Sequence, residues 1–154
     1  MSLRLANPYG RFQRIDAKQG VIPIFCRKAL FNEEIQIYGD GSIQRDFIYI
    51  DDVCEAIARV FDTFYVKYKE DRNIPTEINI GSGVGTSLNE ILYTISHLLS
   101  KDLKVRYINS RGFDVKKNVL DICLAKSVLN WTPNCCLEEG IKLLLEYFKG
   151  QIQA

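Results

Sequence analysis

The chain has 154 residues, 47% of them hydrophobic and 25% charged, with a formal net charge of +1; this suits one globular domain long enough to bury a core. So even a balance gives no electrostatic footprint for nucleic acid or an anionic membrane surface. No apolar run is long enough to span a bilayer and no basic-then-apolar leader opens the chain, which therefore reads as cytoplasmic.

Met1-Ser2-Leu3 reads as an expression leader, and the domain is taken as residues 4–150. Residues 3–7 read as a short strand stopped by Pro8 and Gly10, and 11–20 as irregular and polar. Pro23 suits the first turn of a helix running to about Phe31, where a missing N–H forfeits no helical bond. Ile35 to Tyr38 alternates as a strand, Gly39 to Ser42 is turn chemistry, and Phe47 to Ile50 is a second short strand. Asp52 and Glu55 form a D-x-x-E helix start, followed by an apolar stripe of Val53, Ala56, Ile57, Val60, Phe61 and Phe64. Residues 67–76 read as a surface loop and 77–80 as a strand. Ser87, with Glu90 three residues on, caps a helix whose stripe is Leu88, Ile91, Leu92, Ile95, Leu98 and Leu99. Lys104 to Ile108 is a strand. A short helix near 124–130 and a last one from Glu138 to about Lys149 close the chain.

Five cysteines (Cys26, Cys54, Cys123, Cys135 and Cys136) make an odd count with no C-x-x-C pair, and His97 is the sole histidine. The chain therefore reads as reduced and metal-free. Two motifs attract a functional reading that their surroundings do not support. Gly81-Ser82-Gly83-Val84-Gly85 follows a strand and precedes a helix, but Thr86 stands where a dinucleotide fingerprint needs glycine. No Gly-Lys-Ser/Thr completes a P-loop. The run is read as a tight strand-to-helix turn. Tyr65 and Lys69 match Y-x-x-x-K, a catalytic pair in which lysine lowers the tyrosine pKa. Here they fall at a frayed helix end running into a charged loop, with no shielded site.

Three stretches carry a resemblance. "LRLANPYG" (3–10) is similar to R-x-x-N-x-Y-G. "IQIYGDGSIQRDFIYIDDV" (35–53) is similar to Y-G-D-G-x-Q-x-R-D-F-x-Y-V-x-D-V, with Ile43 where glutamine is common. "INIGSGVGTSLNEI" (78–91), followed by "RGFD" and "LNWTPNCCLEEGI", completes the order. Together they resemble the C-terminal half of extended short-chain dehydrogenase/reductases of the NAD-dependent epimerase/dehydratase family, most like its UDP-glucose 4-epimerase branch.

The resemblance implies a fold and a site. The fold is α/β, an α+β lobe that binds substrate, with a few short strands, about five helices and room for a remnant of the Rossmann sheet. The ligand is a nucleotide sugar, a UDP- or dTDP-hexose. Arg45 would reach its diphosphate, a role that suits a guanidinium fork of permanent charge; the alternative is an ion pair with Asp46, Asp51 or Asp52. Tyr38 would pack on the base, or else face the core. Asn7 would touch diphosphate and sugar, or else serve as a turn residue before Pro8. Arg111 and Asp114 would add a second diphosphate contact and an acceptor for hydroxyls, or else form an exposed salt bridge. Val21 would offer backbone groups, and Asp121 is assigned to structure.

In the parent enzyme NAD would take hydride from C4 of the sugar. The family's G-x-x-G-x-x-G and its catalytic Tyr and Lys lie upstream of R-x-x-N-x-Y-G and are not found before Arg4. No NAD and no catalysis are therefore expected of this stretch by itself. It would pair with the N-terminal half, and the apolar face that half would cover invites self-association into a homo-oligomer. A 4,6-dehydratase or a UDP-glucuronate decarboxylase would share the same domain. A stand-alone binding module without catalysis is the reading from another class.

Overall fold

The computed structural model describes residues 1–16, 18–67, 75–110, 112 and 114–153, and of 64–67 the backbone only. Among these residues lie eight short strands and five helices. In chain order they are β1 (Ser2–Leu5), β2 (Asn7–Tyr9), α1 (Val21–Leu30), β3 (Ile35–Tyr38), β4 (Gln44–Tyr49), α2 (Ile50–Lys67), β5 (Glu77–Ile80), β6 (Gly85–Ser87), α3 (Leu88–Leu99), β7 (Val105–Ile108), β8 (Lys117–Asn118), α4 (Cys123–Leu129) and α5 (Leu137–Gln153).

The strands form three small sheets. β1 pairs parallel with β5, Ser2 opposite Glu77 and Leu5 opposite Ile80. β3 pairs parallel with β7, Gln36 opposite Arg106. In the third sheet β4 is central: β2 runs parallel to it, β6 antiparallel and β8 parallel. The mixed α/β class and the five helices agree with expectation, while the strands are more numerous than the sequence suggests.

Two apolar clusters hold these pieces. One joins Ile22, Phe25, Cys26 and Ala29 of α1 to Ile35 and Ile37 of β3, Ile91 and Ile95 of α3, and Ile141, Leu144 and Phe148 of α5. The other joins Ile78 and Ile80 of β5 to Val53 and Ala56 of α2, Ala125 and Leu129 of α4, and Trp131. Each fully buried aliphatic or aromatic side chain contributes about 1.5–3 kcal/mol. β4 runs between the clusters, with Phe47 against the first and Ile48 in the second. Its alternation therefore decides what faces each side.

Several expectations need correction. Pro8 does not stop a strand; it lies within β2, opposite Ile48. β2 is the edge of its sheet, where a missing N–H need not break a ladder bond. β4 begins at Gln44, so Arg45 is part of the strand rather than a bridge from turn to strand. Asp52 is not a cap of α2. The helix starts at Ile50, and the buried Asp52 carboxylate accepts hydrogen bonds from the backbone N–H groups of Asn134 (2.9 Å) and Cys135 (3.1 Å). Phe61, placed on the inward stripe, is 70% exposed. Most of the expected loop 67–76, and the side chains of Phe64 and Tyr65 together with Lys69, lie outside the described residues.

Among the described residues the cysteines are free thiols, and no group of three His, Cys, Asp or Glu side chains is placed to hold a metal. Burial pushes the Cys135 thiol up to about 12, with the Glu139 and Asp52 carboxylates adding to it. No described helix is long and apolar enough to cross a membrane.

Candidate functional site

A cleft of about 470 Å³ opens where β2, β3 and β4 meet the start of α1. Its lining includes Asn7, Val21, Tyr38, Arg45 and Asp114, five of the six residues singled out from sequence. The sixth, Arg111, lies outside the described residues.

Strand alternation aims the side chains. On β4, Arg45 and Phe47 line the cleft while Asp46 and Ile48 are buried on the other face. On β3, Gln36 and Tyr38 line it while Ile35 and Ile37 enter the core. Tyr38 is 39% exposed and is not a core residue. Asn7 sits in β2 rather than in a turn, and its side-chain N–H donates to the Asp46 carbonyl at 2.7 Å.

Arg45 is half-buried, and its Nη1 donates to the carbonyl oxygens of Gln44 (2.8 Å) and Val115 (2.6 Å). Among the described residues none of its three acidic sequence neighbours neutralises it. Asp51 pairs with Arg11 at 2.8 Å, Asp52 binds the Asn134 and Cys135 amides, and Asp46 faces away. Carbonyl dipoles hold the guanidinium in place, and among the described residues no carboxylate forms an ion pair with it. The first turn of α1 borders the same cleft through Gly20, Val21 and Ile22. Gly20 takes a φ of 84°, which favours glycine, and supplies no side-chain cap; no acidic residue lies in that turn. Within its own first turn the positive end of the helix dipole thus meets no acidic side chain. Asp114, exposed at the rim, adds an acceptor.

The glycine-rich turn has a different occupant. Asp46, 1% exposed, accepts from Ser82 N–H (2.8 Å), Ser82 O–H (2.7 Å), Gly83 N–H (3.1 Å) and Leu120 N–H (3.2 Å). A Cβ on Gly81 would stand 2.5 Å from that carboxylate, so glycine is required for the approach. The turn wraps an anion, but the anion belongs to the protein. The amides a dinucleotide would need are engaged, and this turn does not fit NAD. Past the turn, Ser87 caps α3 in a full capping box with Glu90, as its spacing predicts.

Sequence reasoning overlooked Gln36, Phe47 and Leu88 as lining residues. The signal for Gln36 was present, because alternation in Ile35-Gln36-Ile37-Tyr38 puts it on the face of Tyr38.

A cationic strand residue and an uncapped helix start facing one cleft of a mixed α/β fold define an anion-accepting pocket. The sequence pattern of the NAD dependent epimerase/dehydratase family matches residues 1–81, more than half of the chain, and the protein belongs to that family. It is 36% identical over 146 residues to a dTDP-4-dehydro-6-deoxyglucose reductase of Escherichia coli, covering 95% of this chain and 44% of that protein. It is also 36% identical over 148 residues to a putative UDP-glucose 4-epimerase of Methanocaldococcus jannaschii, covering 96% and 45%. Its fold superposes on a UDP-glucose 4-epimerase of Thermotoga maritima, solved with UDP-glucose, at a TM-score of 0.84 and 36% identity, covering 97% of this chain and 46% of that one. The chain thus spans about half the length of the relatives it matches.

Proposed function

We propose that this chain is the nucleotide-sugar-binding part, the C-terminal half, of an NAD-dependent sugar epimerase/dehydratase family enzyme of the UDP-glucose 4-epimerase kind. The cleft takes the nucleoside diphosphate. Arg45 and the first-turn amides of α1 at Val21 meet the diphosphate, and Arg111 adds a second cation. Tyr38 packs on the base, Asp114 accepts ribose hydroxyls, and Asn7 offers its remaining amide oxygen to the sugar. Remote contacts of this kind fix the position of a reacting carbon held elsewhere.

The observation that carries the reading is the Arg45 guanidinium, held by two carbonyls with no described carboxylate partner, in the same cleft as an uncapped helix start. A two-stranded parallel sheet, β1 with β5, supports the placement as one part of a larger enzyme, since parallel sheets are ordinarily wider and covered on both faces. The reductase and epimerase relatives are equally identical to this chain, so the reading rests on the shared nucleotide diphosphate rather than on the sugar chemistry.

The test is calorimetric titration with UDP, dTDP, UDP-glucose and NAD of the wild-type chain and of Arg45→Ala, each checked for folding by thermal melt. The expected result is binding of the uridine and thymidine nucleotides that weakens at least about tenfold in the variant, the worth of one charge-assisted contact, with no heat from NAD. UDP affinity that is unchanged in Arg45→Ala overturns the assignment.

A further inference from the structure

We infer that Asp46 is a positioning residue of this cleft: from the buried face of β4 it latches the 114–120 segment, and through Val115 it fixes how Arg45 presents its guanidinium. The inference rests on the diphosphate reading above. Residues 114–118 are all exposed, so burial does not hold them. A short set of polar contacts binds the segment to β4. Gln44 N–H donates to the Lys116 carbonyl at 2.9 Å, and β8 adds two register positions, Gln44 opposite Lys117 and Arg45 opposite Asn118. Two further bonds come from the side chains of adjacent β4 residues. On the cleft face Arg45 Nη1 donates to the Val115 carbonyl at 2.6 Å; on the other face Asp46 Oδ2 accepts from Leu120 N–H at 3.2 Å. Strand alternation lets these two neighbours grip the segment from opposite sides.

The two grips differ in what anchors them. The Asp46 carboxylate is buried and is itself fixed by Ser82 and Gly83. Arg45 has a long side chain that takes its position from the carbonyls it meets. The carboxylate is therefore the fixed point, and the guanidinium is what it sets. The consequence falls on the ligand side. Both Arg45 bonds run from Nη1, and among the described residues Nε and Nη2 donate to nothing. Those two atoms form one edge of the guanidinium fork, which suits two oxygens of a phosphate. With Val115 in place that edge is preset. With the segment released, the ligand must order the side chain as it binds.

The experiment reads two quantities by NMR on the 154-residue protein: the Val115 carbonyl carbon shift without ligand, and UDP affinity from a titration. The variants are Arg45→Ala, Asp46→Ala, the two combined, Leu120→Pro and Ile78→Val. Leu120→Pro removes one N–H and keeps the Ser82 and Gly83 bonds, so it serves where Asp46→Ala does not fold. Ile78→Val trims a buried residue of β5 outside the cleft and controls for stability alone. Arg45→Ala supplies the Val115 shift of the broken bond. Asp46→Ala and Leu120→Pro are expected to move Val115 toward that value and to weaken UDP about three- to tenfold, what ordering one long side chain amounts to. Ile78→Val is expected to change neither. In the Arg45→Ala background, Asp46→Ala is expected to change UDP affinity by less than about twofold, because its effect runs through the missing guanidinium. A Val115 carbonyl unmoved in both Asp46→Ala and Leu120→Pro overturns the inference and leaves the site standing on the Arg45 dependence of UDP binding. An equal loss of affinity with and without Arg45 overturns it likewise. UDP binding that is absent, or insensitive to Arg45→Ala, overturns the diphosphate reading, and the Val115 shift still decides whether Asp46 positions Arg45.

Discussion

Arg45 and Asp46 are adjacent, oppositely charged and never meet, because a strand sends them to opposite faces. The cation goes to the cleft and the anion to the interior, where four hydrogen bonds from Ser82, Gly83 and Leu120 surround it. Asp46→Ala takes the buried acceptor away from the backbone N–H groups of Ser82, Gly83 and Leu120, and its expected cost is about 1–3 kcal/mol, read as a lowered urea midpoint. Asp46→Asn keeps one acceptor oxygen and is expected to lose less. A loss under about 1 kcal/mol in the alanine variant would contradict the role given to this carboxylate. Such a role was out of reach of the sequence. Glycines 81, 83 and 85 announced a turn that can embrace an anion, and Thr86 excluded the dinucleotide fingerprint, but a partner 36 residues upstream leaves no local mark. Arg45 was legible because a charge beside an apolar strand asks for a reason. What the sequence could not rank was Arg45 against its three acidic neighbours, and each of those turned out to have another partner.

Helices with caps and stripes were readable, and the shortest strands were not. α3 declared itself through Ser87 and Glu90, and the structure closes that box. The Ser87 N–H and O–H both donate to Glu90 Oε2, at 2.6 and 2.7 Å. These bonds, the side-chain one first, hold the Glu90 carboxyl below the usual carboxylate range. A carboxyl lowered in the folded state adds stability above its unfolded pKa and loses it as pH falls through the folded one. Glu90→Gln is therefore expected to melt lower than wild type near pH 7, where an exposed helix-start charge is worth about 0.3–1 kcal/mol. The gap should close as wild type takes up its proton below about pH 4.5. Melting curves from pH 3 to 7 check this, and a gap that stays constant or widens on acidification would rule it out. α2 shows the opposite case. Asp52 and Glu55 imitate a cap, yet Asp52 serves two amides more than 80 residues away. β2 and β8, of three and two residues, exist only as partners of β4 and have no periodicity to read.

At the scale of the whole molecule, the side of α2 that flanks its buried residues is not the polar surface that a solvated helix presents. Ile57 and Phe61 stand four residues apart, and so on one face, at 38% and 70% exposure. The predicted inward stripe failed here because apolar spacing specifies a face to be covered, not what covers it. Val53 and Ala56 are covered by this chain's own second cluster. β1 poses the same question, since its only strand partner among the described residues is β5 and Leu5 is 44% exposed. With a net charge of only +1, little long-range repulsion opposes association. The chain is therefore expected to self-associate at high concentration, seen as a weight-average mass that rises in sedimentation equilibrium. Phe61→Glu should lower that mass at equal concentration. Its melting temperature should hold within about 0.5 kcal/mol of stability, because an exposed ring contributes little to the core. A monodisperse wild type would show that this face stays solvated, and an equal mass in Phe61→Glu would move the contact elsewhere. Phe61→Glu should leave UDP titration unchanged, because Phe61 does not line the Arg45 cleft.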